Sequence, residues 1–458
     1  MNIHNLAHLQ VAVDIGSHEH YVAIGLSEGG ILDEFSITHT PAGFQYFFSR
    51  IELQEYLYNR PVDVAMEGYN GWARPLDSQI QSHGYQLYNV NNLKLARFKE
   101  IFPAPAKSDL VDTHKMLELF QLQDHLPLAK GVLQAVLPVP DANRRLKRLT
   151  RRRRQLINEK VALQNRIQPD LQATCPTLLD MTGSIDNLWF LHFLTCRDDL
   201  TKLMRLQTKS LLAIQGVGRK YLNLILDWQK QAEFSNEIEE VGPMIQEDAR
   251  RLLALMASIK TMDAKIDSQI QKSAYAQHID SIPGFGLVCS AELAGEIGTT
   301  DRFPKQSSFS IYIGMAPLDN QSGGYQGTKS PKHVNTRARK AMMTAVCRHM
   351  AYVPESRAYY DKKRSEGKTH NNAVRALGRH ISRVIWSMLR HDRDYIELAS
   401  ISALHYFSRK LRRGPSGLRS EKLRGVYAFG GPRSSCVRTA SPYHRKLGTG
   451  FAVLPQMT

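Results

Sequence analysis

Leu9-Gln10-Val11-Ala12-Val13-Asp14-Ile15-Gly16 and Val62-Asp63-Val64-Ala65-Met66-Glu67-Gly68 are two short apolar runs, each closed by an acid with a glycine just beyond. Such runs read as buried strands. A carboxylate at the end of a buried strand is costly unless something compensates it, so Asp14 and Glu67 call for a reason, and the ends of two such strands can converge. Working outward, Leu9 to Asp14, Tyr21 to Leu26 and Ile31 to Ile37 read as three successive strands, and Gly43 to Leu57 as a helix. Val62 to Glu67 is a strand, Gly71 to His83 a helix, Tyr85 to Val90 a strand and Ser108 to Phe120 a helix. Alternation of this kind predicts an α/β domain.

A meander of three strands followed by alternating helix and strand is the order of a ribonuclease-H-like fold. From about Ala142 the pattern changes to long helices rich in Leu, Gln, Lys and Arg. Asp141-Ala142-Asn143 offers a helix start, and Leu146, Leu149, Leu156, Leu163 and Ile167 recur at roughly heptad spacing, which suits a coiled coil. Gly242 to Lys272 reads as a second long helix with Met244, Ile245, Leu252, Leu255, Ile259, Met262 and Ile266 as its apolar face. The division that follows is an α/β domain over 1–140, an all-α region over 141–275, a mostly helical domain over 276–400 and a basic tail over 401–458.

The 458 residues, 42% hydrophobic, exclude a chain disordered throughout and suffice for two or three domains. A net charge of +17 points to a polyanionic partner, nucleic acid first. Much of the excess lies in residues 405–458, where eleven Lys or Arg face one acid among Gly, Pro and Ser. That stretch reads as weakly ordered, either an electrostatic anchor or idle sequence. Five scattered cysteines without a Cys-x-x-Cys pair support neither a zinc knuckle nor a disulfide framework. With no basic-then-apolar leader in Met1 to Gln10 and no apolar run of membrane-spanning length, a soluble, reducing, cytoplasmic setting with no membrane partner is expected.

Asp109 and Asp112, in Lys107-Ser108-Asp109-Leu110-Val111-Asp112, are three positions apart at a helix start and so share a face. Alone, they are what the helix dipole favours, with Ser108 as N-cap. With Asp14 and Glu67 they form an all-oxygen set suited to Mg²⁺ or Mn²⁺. Two such ions roughly 3.5 to 4 Å apart would activate a nucleophile and stabilise the leaving oxygen of a phosphodiester.

Between Arg144 and Arg154 lie eight basic residues in eleven: Arg144, Arg145, Lys147, Arg148, Arg151, Arg152, Arg153 and Arg154. Charge runs are usually a solvated helix face, but four consecutive arginines cover every side of a turn, and phosphate contact is the reading. Pro283-Gly284-Phe285-Gly286 ahead of an apolar helix is a turn through which backbone amides approach a phosphate.

Those residues, with Glu296-Ile297-Gly298, Arg302-Phe303, Phe309-Ser310-Ile311-Tyr312-Ile313-Gly314-Met315-Ala316-Pro317 and Asn320-Gln321-Ser322-Gly323-Gly324, closely resemble the C-terminal transposase domain of the insertion-sequence 110 family, which includes the Piv-type invertases. The N-terminal motifs resemble that family's RuvC-like domain, and the likeness runs from about Val11 to Asp394. It implies a metal-binding tetrad of Asp14, Glu67, Asp109 and Asp112, and Ser322 as a nucleophile that forms a transient phosphoserine link to DNA. A serine hydroxyl needs activation, which the acids supply if the two domains close on one another, within one subunit or between two. The resemblance also implies donor and target duplexes as partners, a structured non-coding guide RNA that bridges them, and a homodimer or homotetramer. Lys332 and Arg337, in the basic segment after Ser322, are assigned to phosphates. The sequence departs from the family at Val334, where a glycine usually precedes the asparagine, and at Ala338-Arg339, where Leu-Arg is common.

Two other readings use fewer of these features. A basic nucleic-acid-binding protein with structural acids leaves Ser322 without a role, and a RuvC-like junction-resolving nuclease leaves the C-terminal half unexplained. An actin-like ATPase would need a second Asp-x-Gly hairpin, which the chain lacks in the required order.

Overall fold

The computed structural model describes residues 7–68, 71, 73–101, 108–123, 132–329, 331 and 334–396. The basic tail over 401–458 and Lys332 lie outside them. The chain divides into two compact units, Met1–Pro138 and Val139–Thr458.

The first unit is built on β1 (Leu9–Ile15), β2 (Glu19–Leu26), β3 (Gly29–Thr38), α1 (Pro41–Tyr58), β4 (Val62–Glu67), α2 (Arg74–Ser82), β5 (Gln86–Val90), α3 (Asn92–Ile101), α4 (Asp109–Leu122) and β6 (Leu133–Ala135). Its six strands lie in the order β3-β2-β1-β4-β5-β6. β1 runs antiparallel to β2 and parallel to β4, β4 parallel to β5, and β6 antiparallel to β5. Every expected strand and helix is present within a few residues, while α3 and β6 were not foreseen. The helix expected from Gly71 begins at Arg74.

Both faces of the sheet are buried, and alternation assigns side chains to them. Leu9, Val11 and Val13 of β1 and Val62, Val64 and Met66 of β4 pack with Phe44, Phe47, Phe48 and Ile51 of α1. Each fully buried Phe or Val stabilises the unit by roughly 1.5 to 3 kcal/mol. The intervening positions are small: Ala12, Ala23 and Ala65 face Met116, Leu117 and Phe120 of α4 and Leu95 of α3. With methyls on the sheet side, α4 lies close across β1 and β2. Gln121 fastens it there, its Nε2 donating to the carbonyls of Leu26 and Gly30, each at 3.0 Å.

The second unit begins with α5 (Asp141–Thr174), whose start matches the Asp141 signal. It continues through α6 (Pro176–Asp180), α7 (Leu188–Leu194), α8 (Thr208–Leu212), α9 (Arg219–Gln229) and α10 (Ile238–Ile270). Arg153 ion-pairs with Asp263 and Arg166 with Asp248 at 2.7 Å, so α5 and α10 run antiparallel. The far half of this pair closes a core with α7 and α9 around Phe190, Phe193, Ile225 and Trp228. α10 begins four residues before the expected Gly242, and Gly242 and Pro243 lie inside it. Met244 is 60% exposed and not on the buried face, since its neighbour Ile245 points inward, about 100° around the helix.

The near half of α5 and α10 joins α11 (Ala274–Asp280), α12 (Leu287–Ile297), α13 (Gln306–Tyr312), β7 (Leu318–Ser322), β8 (Tyr325–Lys329), α14 (Thr336–Tyr352), α15 (Pro354–Ser365) and α16 (His370–Arg390). Their core includes Leu146, Ile266, Phe285, Leu293, Phe309, Met342, Val346 and Ile385. Gly295 is required where α12 crosses α5, because a Cβ there would lie 2.5 Å from the Lys147 backbone nitrogen.

Candidate functional site

Period-two alternation explains how the acids meet. Asp14 shares a face with Ala12 and Glu67 with Ala65, and that is the face covered by α4. β1 and β4 are parallel neighbours with Val13 opposite Met66, so the two acids leave the sheet side by side at the same end. α4 starts there, capped by the Ser108 hydroxyl, which accepts from the Val111 amide at 3.3 Å. Asp109 and Asp112 occupy its first turn.

The electrostatics of Asp14 reflect this placement. Burial pushes the Asp14 carboxyl above its ordinary 3.8, Lys99 draws it down, and Glu67, Asp109 and Asp112 push it up again. Asp14 therefore lies within electrostatic reach of the other three acids. Lys99 is the residue the sequence reading missed: its Nζ lies 3.0 Å from Asp112 Oδ2, both side chains about four-fifths buried. The start of its helix was signalled by Asn91, whose Oδ1 accepts from the Lys94 amide at 3.2 Å.

An all-carboxylate donor set fits a hard divalent cation. In the present arrangement, among the described residues, no three His, Cys, Asp or Glu side chains stand close enough to hold one ion together, and the positive charge in the cluster is that of Lys99.

Ser322 ends β7, paired with Tyr325 across the two-residue turn Gly323-Gly324. Gly323 has φ of 54°, which a two-residue hairpin turn demands and glycine supplies without strain. Ser322 is exposed at the tip of this ribbon.

The remaining motif residues gather around one buried carboxylate. Glu296, 1% exposed at its side chain, accepts from Arg151 Nε at 2.6 Å and Nη2 at 2.9 Å and from Asn335 Nδ2 at 2.7 Å. Tyr312 donates its hydroxyl to the Glu296 carbonyl at 2.7 Å, and Arg302 Nη1 reaches the Ile297 carbonyl at 3.0 Å with its guanidinium over the Tyr312 ring. Asn335 also caps α14, accepting from the amides of Arg337 at 3.1 Å and Ala338 at 3.0 Å. Burial pushes Glu296 up, but Arg151 and Asn335 outweigh it and hold the carboxyl below its ordinary range. One turn earlier, Glu292 meets Arg154 at 2.5 Å while its Oε1 is buried without a partner, and there burial prevails and raises it.

A transposase family model carrying the DEDD label of the IS110 type matches residues 11–176, and a second, for the IS116/IS110/IS902 transposase family, matches residues 276–361. The chain belongs to the insertion-sequence 110 family of transposases. Over 331 residues, 69% of this chain and 79% of the relative, it is 26% identical to the insertion element IS116 44.8 kDa protein of Streptomyces clavuligerus. It is 36% identical over 149 residues to the insertion element IS900 42 kDa protein of Mycobacterium paratuberculosis, and spans 37% of that relative. It is 24% identical over 123 residues, 34% of the relative, to the transposase for insertion sequence element IS1111A of Coxiella burnetii.

The first family match contains all four acids and the basic run, and the second contains the Ser322 hairpin and the Glu296 knot. In this family member the basic run is divided in its partners. Arg151 and Arg154 turn toward α12 and Arg153 toward Asp263, all three engaged by carboxylates of their own unit. Arg144 and Arg145 reach Asp141 at 2.6 Å, exposed pairs of little strength, and Arg148 and Arg152 are exposed. Lys147 is half-buried, and burial, with Arg151 beside it, lowers its ammonium. Arg337 is exposed in the first turn of α14. No described helix is long and apolar enough to cross a membrane.

Proposed function

We propose that this chain is a DNA transposase or site-specific recombinase that cuts and rejoins strands through Ser322, assisted by the tetrad Asp14, Glu67, Asp109 and Asp112 of a RuvC-like domain. The reading is carried by the convergence of four acids, far apart in sequence, at one end of a single sheet. Compensated only by Lys99 among the described residues, such a cluster is costly to the fold and fits a site with a task.

The Ser322 Oγ attacks a backbone phosphorus of DNA and forms a phosphoserine ester, while the bond from that phosphorus to one deoxyribose oxygen breaks. The serine proton passes to a base and the released oxygen leaves as a hydroxyl. The hydroxyl of another strand end then attacks the same phosphorus, which restores free serine and a phosphodiester without net hydrolysis. Mg²⁺ or Mn²⁺ held by the four acids would supply Lewis-acid stabilisation of the charged phosphate oxygens. Arg144, Arg145, Arg148, Arg152 and Arg337 serve as backbone contacts that position the nucleic acid without reading its sequence. The reading extends to a structured guide RNA bridging donor and target duplexes, and to a homodimer or homotetramer that holds two DNAs.

The test is a denaturing gel of the full chain incubated with end-labelled DNA carrying an element junction and Mg²⁺. Label should migrate with the protein and map by mass spectrometry to Ser322. Ser322→Ala should abolish the adduct while retaining DNA binding, and undiminished strand transfer by that variant would sink the serine mechanism.

A further inference from the structure

β8, α14, α15 and α16 together enclose a groove of about 580 Å³. One wall is a row on α16: Arg375, Arg379 and Arg383, four residues apart and therefore on one face. Like charges at that spacing destabilise a helix unless an anion lies across them. Arg339 and Lys363 add charge from the other walls, and no aspartate or glutamate lines the groove among the described residues. Of the groove's cations, Lys363 alone is ion-paired among the described residues, with Glu366 at 2.7 Å.

Arg375 supplies the independent observation. Its Nε is buried without a hydrogen-bonding partner, and its Nη1 reaches Asn372 Oδ1 only at 3.4 Å. A charged N–H withdrawn from water and left unmade is expensive, and an anionic oxygen in the groove would complete it. The surroundings are tuned the same way: burial, then Arg383, Arg379 and Lys363, hold His380 below the ordinary imidazole value. The fold also makes room for these side chains. Gly314, at φ of 72°, lies so close under the stem of Arg339 that a Cβ would sit 2.8 Å from its Cδ.

Lys329 connects the groove to the reactive hairpin. It lines the groove at the base of the ribbon, opposite Leu318, while Ser322 stands at the tip opposite Tyr325. Four residues of strand at about 3.4 Å each separate them by roughly 14 Å. Measured along the axis of a duplex, at about 3.4 Å per charge on each strand, that span covers at most about four nucleotides.

We propose that this groove grips the phosphodiester backbone of the DNA strand that Ser322 attacks, within about four nucleotides of the scissile phosphate. The choice of strand rests on the serine reading above, whereas the grip itself does not. The contrast with Arg151, Arg153 and Arg154 supports it: those arginines are answered by protein carboxylates, and the α16 row is not.

The test is fluorescence anisotropy of the full chain with a labelled DNA oligonucleotide, single-stranded and duplex, over a range of salt. Replacing Arg379 and Arg383, both exposed, by Gln should reduce the slope of log affinity against log salt by about 0.7 to 0.9 for each phosphate no longer neutralised. Arg375→Gln should do the same, with circular dichroism verifying its fold. An unchanged slope in the Arg379→Gln/Arg383→Gln variant overturns the proposal, as does a weakening confined to RNA of the same sequence. Ser322→Ala should keep the full slope. A covalent adduct persisting in that variant would remove the serine reading and leave the grip standing on its own measurement.

Discussion

Two sets of acids in this chain are treated oppositely by the fold. At the end of the first unit's sheet, Glu67, Asp109 and Asp112 all act on Asp14, and Lys99 pairs with Asp112. On α12 of the second unit, Glu292 and Glu296 are more deeply buried, yet each has its own arginine. Burial alone therefore does not separate a working carboxylate from a structural one. What distinguishes these two sets is the ratio of acids to cations. The α12 pair locks three elements together, whereas at the sheet end Asp14 is held against the repulsion of the other three acids by strands and a helix packed for other reasons, a deficit of positive charge that a divalent cation would remove.

The largest effect should come from neutralising the crowded set. Asp14→Asn should reduce DNA cleavage at least about a hundredfold, the scale on which removing one electrostatic group from a reaction centre acts. Its thermal midpoint should hold or rise, because a half-buried charge repelled by three others has been removed. Lost stability with retained cleavage would place Asp14 with the structural acids. The reverse is expected of Glu296→Gln, which strands Arg151. It should cost about 3 kcal/mol in urea unfolding, the low end for a broken buried pair because Arg151 is 37% exposed. Cleavage per folded molecule should be unchanged.

Acid titration probes the same pair more gently. Glu296 is held below its ordinary 4.5, so its contribution to stability is present above that pH and is lost as pH falls through the folded value. The second unit should weaken below about pH 4.5, and Glu296→Gln should flatten that decline. Smallest of all is the effect at His278. Burial lowers this imidazole, but Asp392 and Asp394, at 2.9 and 2.7 Å, raise it above 6.5 overall. Its stabilisation is present below pH 6.5 and lost as pH rises through the folded value. A slight drop in thermal midpoint as pH rises above 6.5, absent in His278→Gln, is the expected signature.

The first unit was readable in advance because its elements carry their own periods. Val11-Ala12-Val13-Asp14 and Val64-Ala65-Met66-Glu67 alternate large and small, so a reader can tell which face each acid joins. Other features carry no local signal. β6 is three residues long, too short for a period, and β7, Leu318-Asp319-Asn320-Gln321-Ser322, is nearly all polar, held by its backbone ladder and not by burial. α3 buries only Leu95, so its helix went unread and Lys99 with it. The fate of the arginine run was hidden for a different reason. The partners of Arg151 and Arg154 lie 145 and 138 residues away, and a charge run does not reveal whether it will face water, phosphate or a distant carboxylate.

The alanines beneath α4 have a further consequence. Ala12, Ala23 and Ala65 are a shim: their methyls set the thickness of the layer between sheet and helix. Because two of the acids ride on the sheet and two on the helix, that thickness is also the gauge of the gap between the pairs. A residue one or two carbons larger at position 65 would tilt α4 outward and widen the gap without touching any carboxylate. The tolerance of the proposed reaction centre is thus machined in the core, by side chains too small to draw notice.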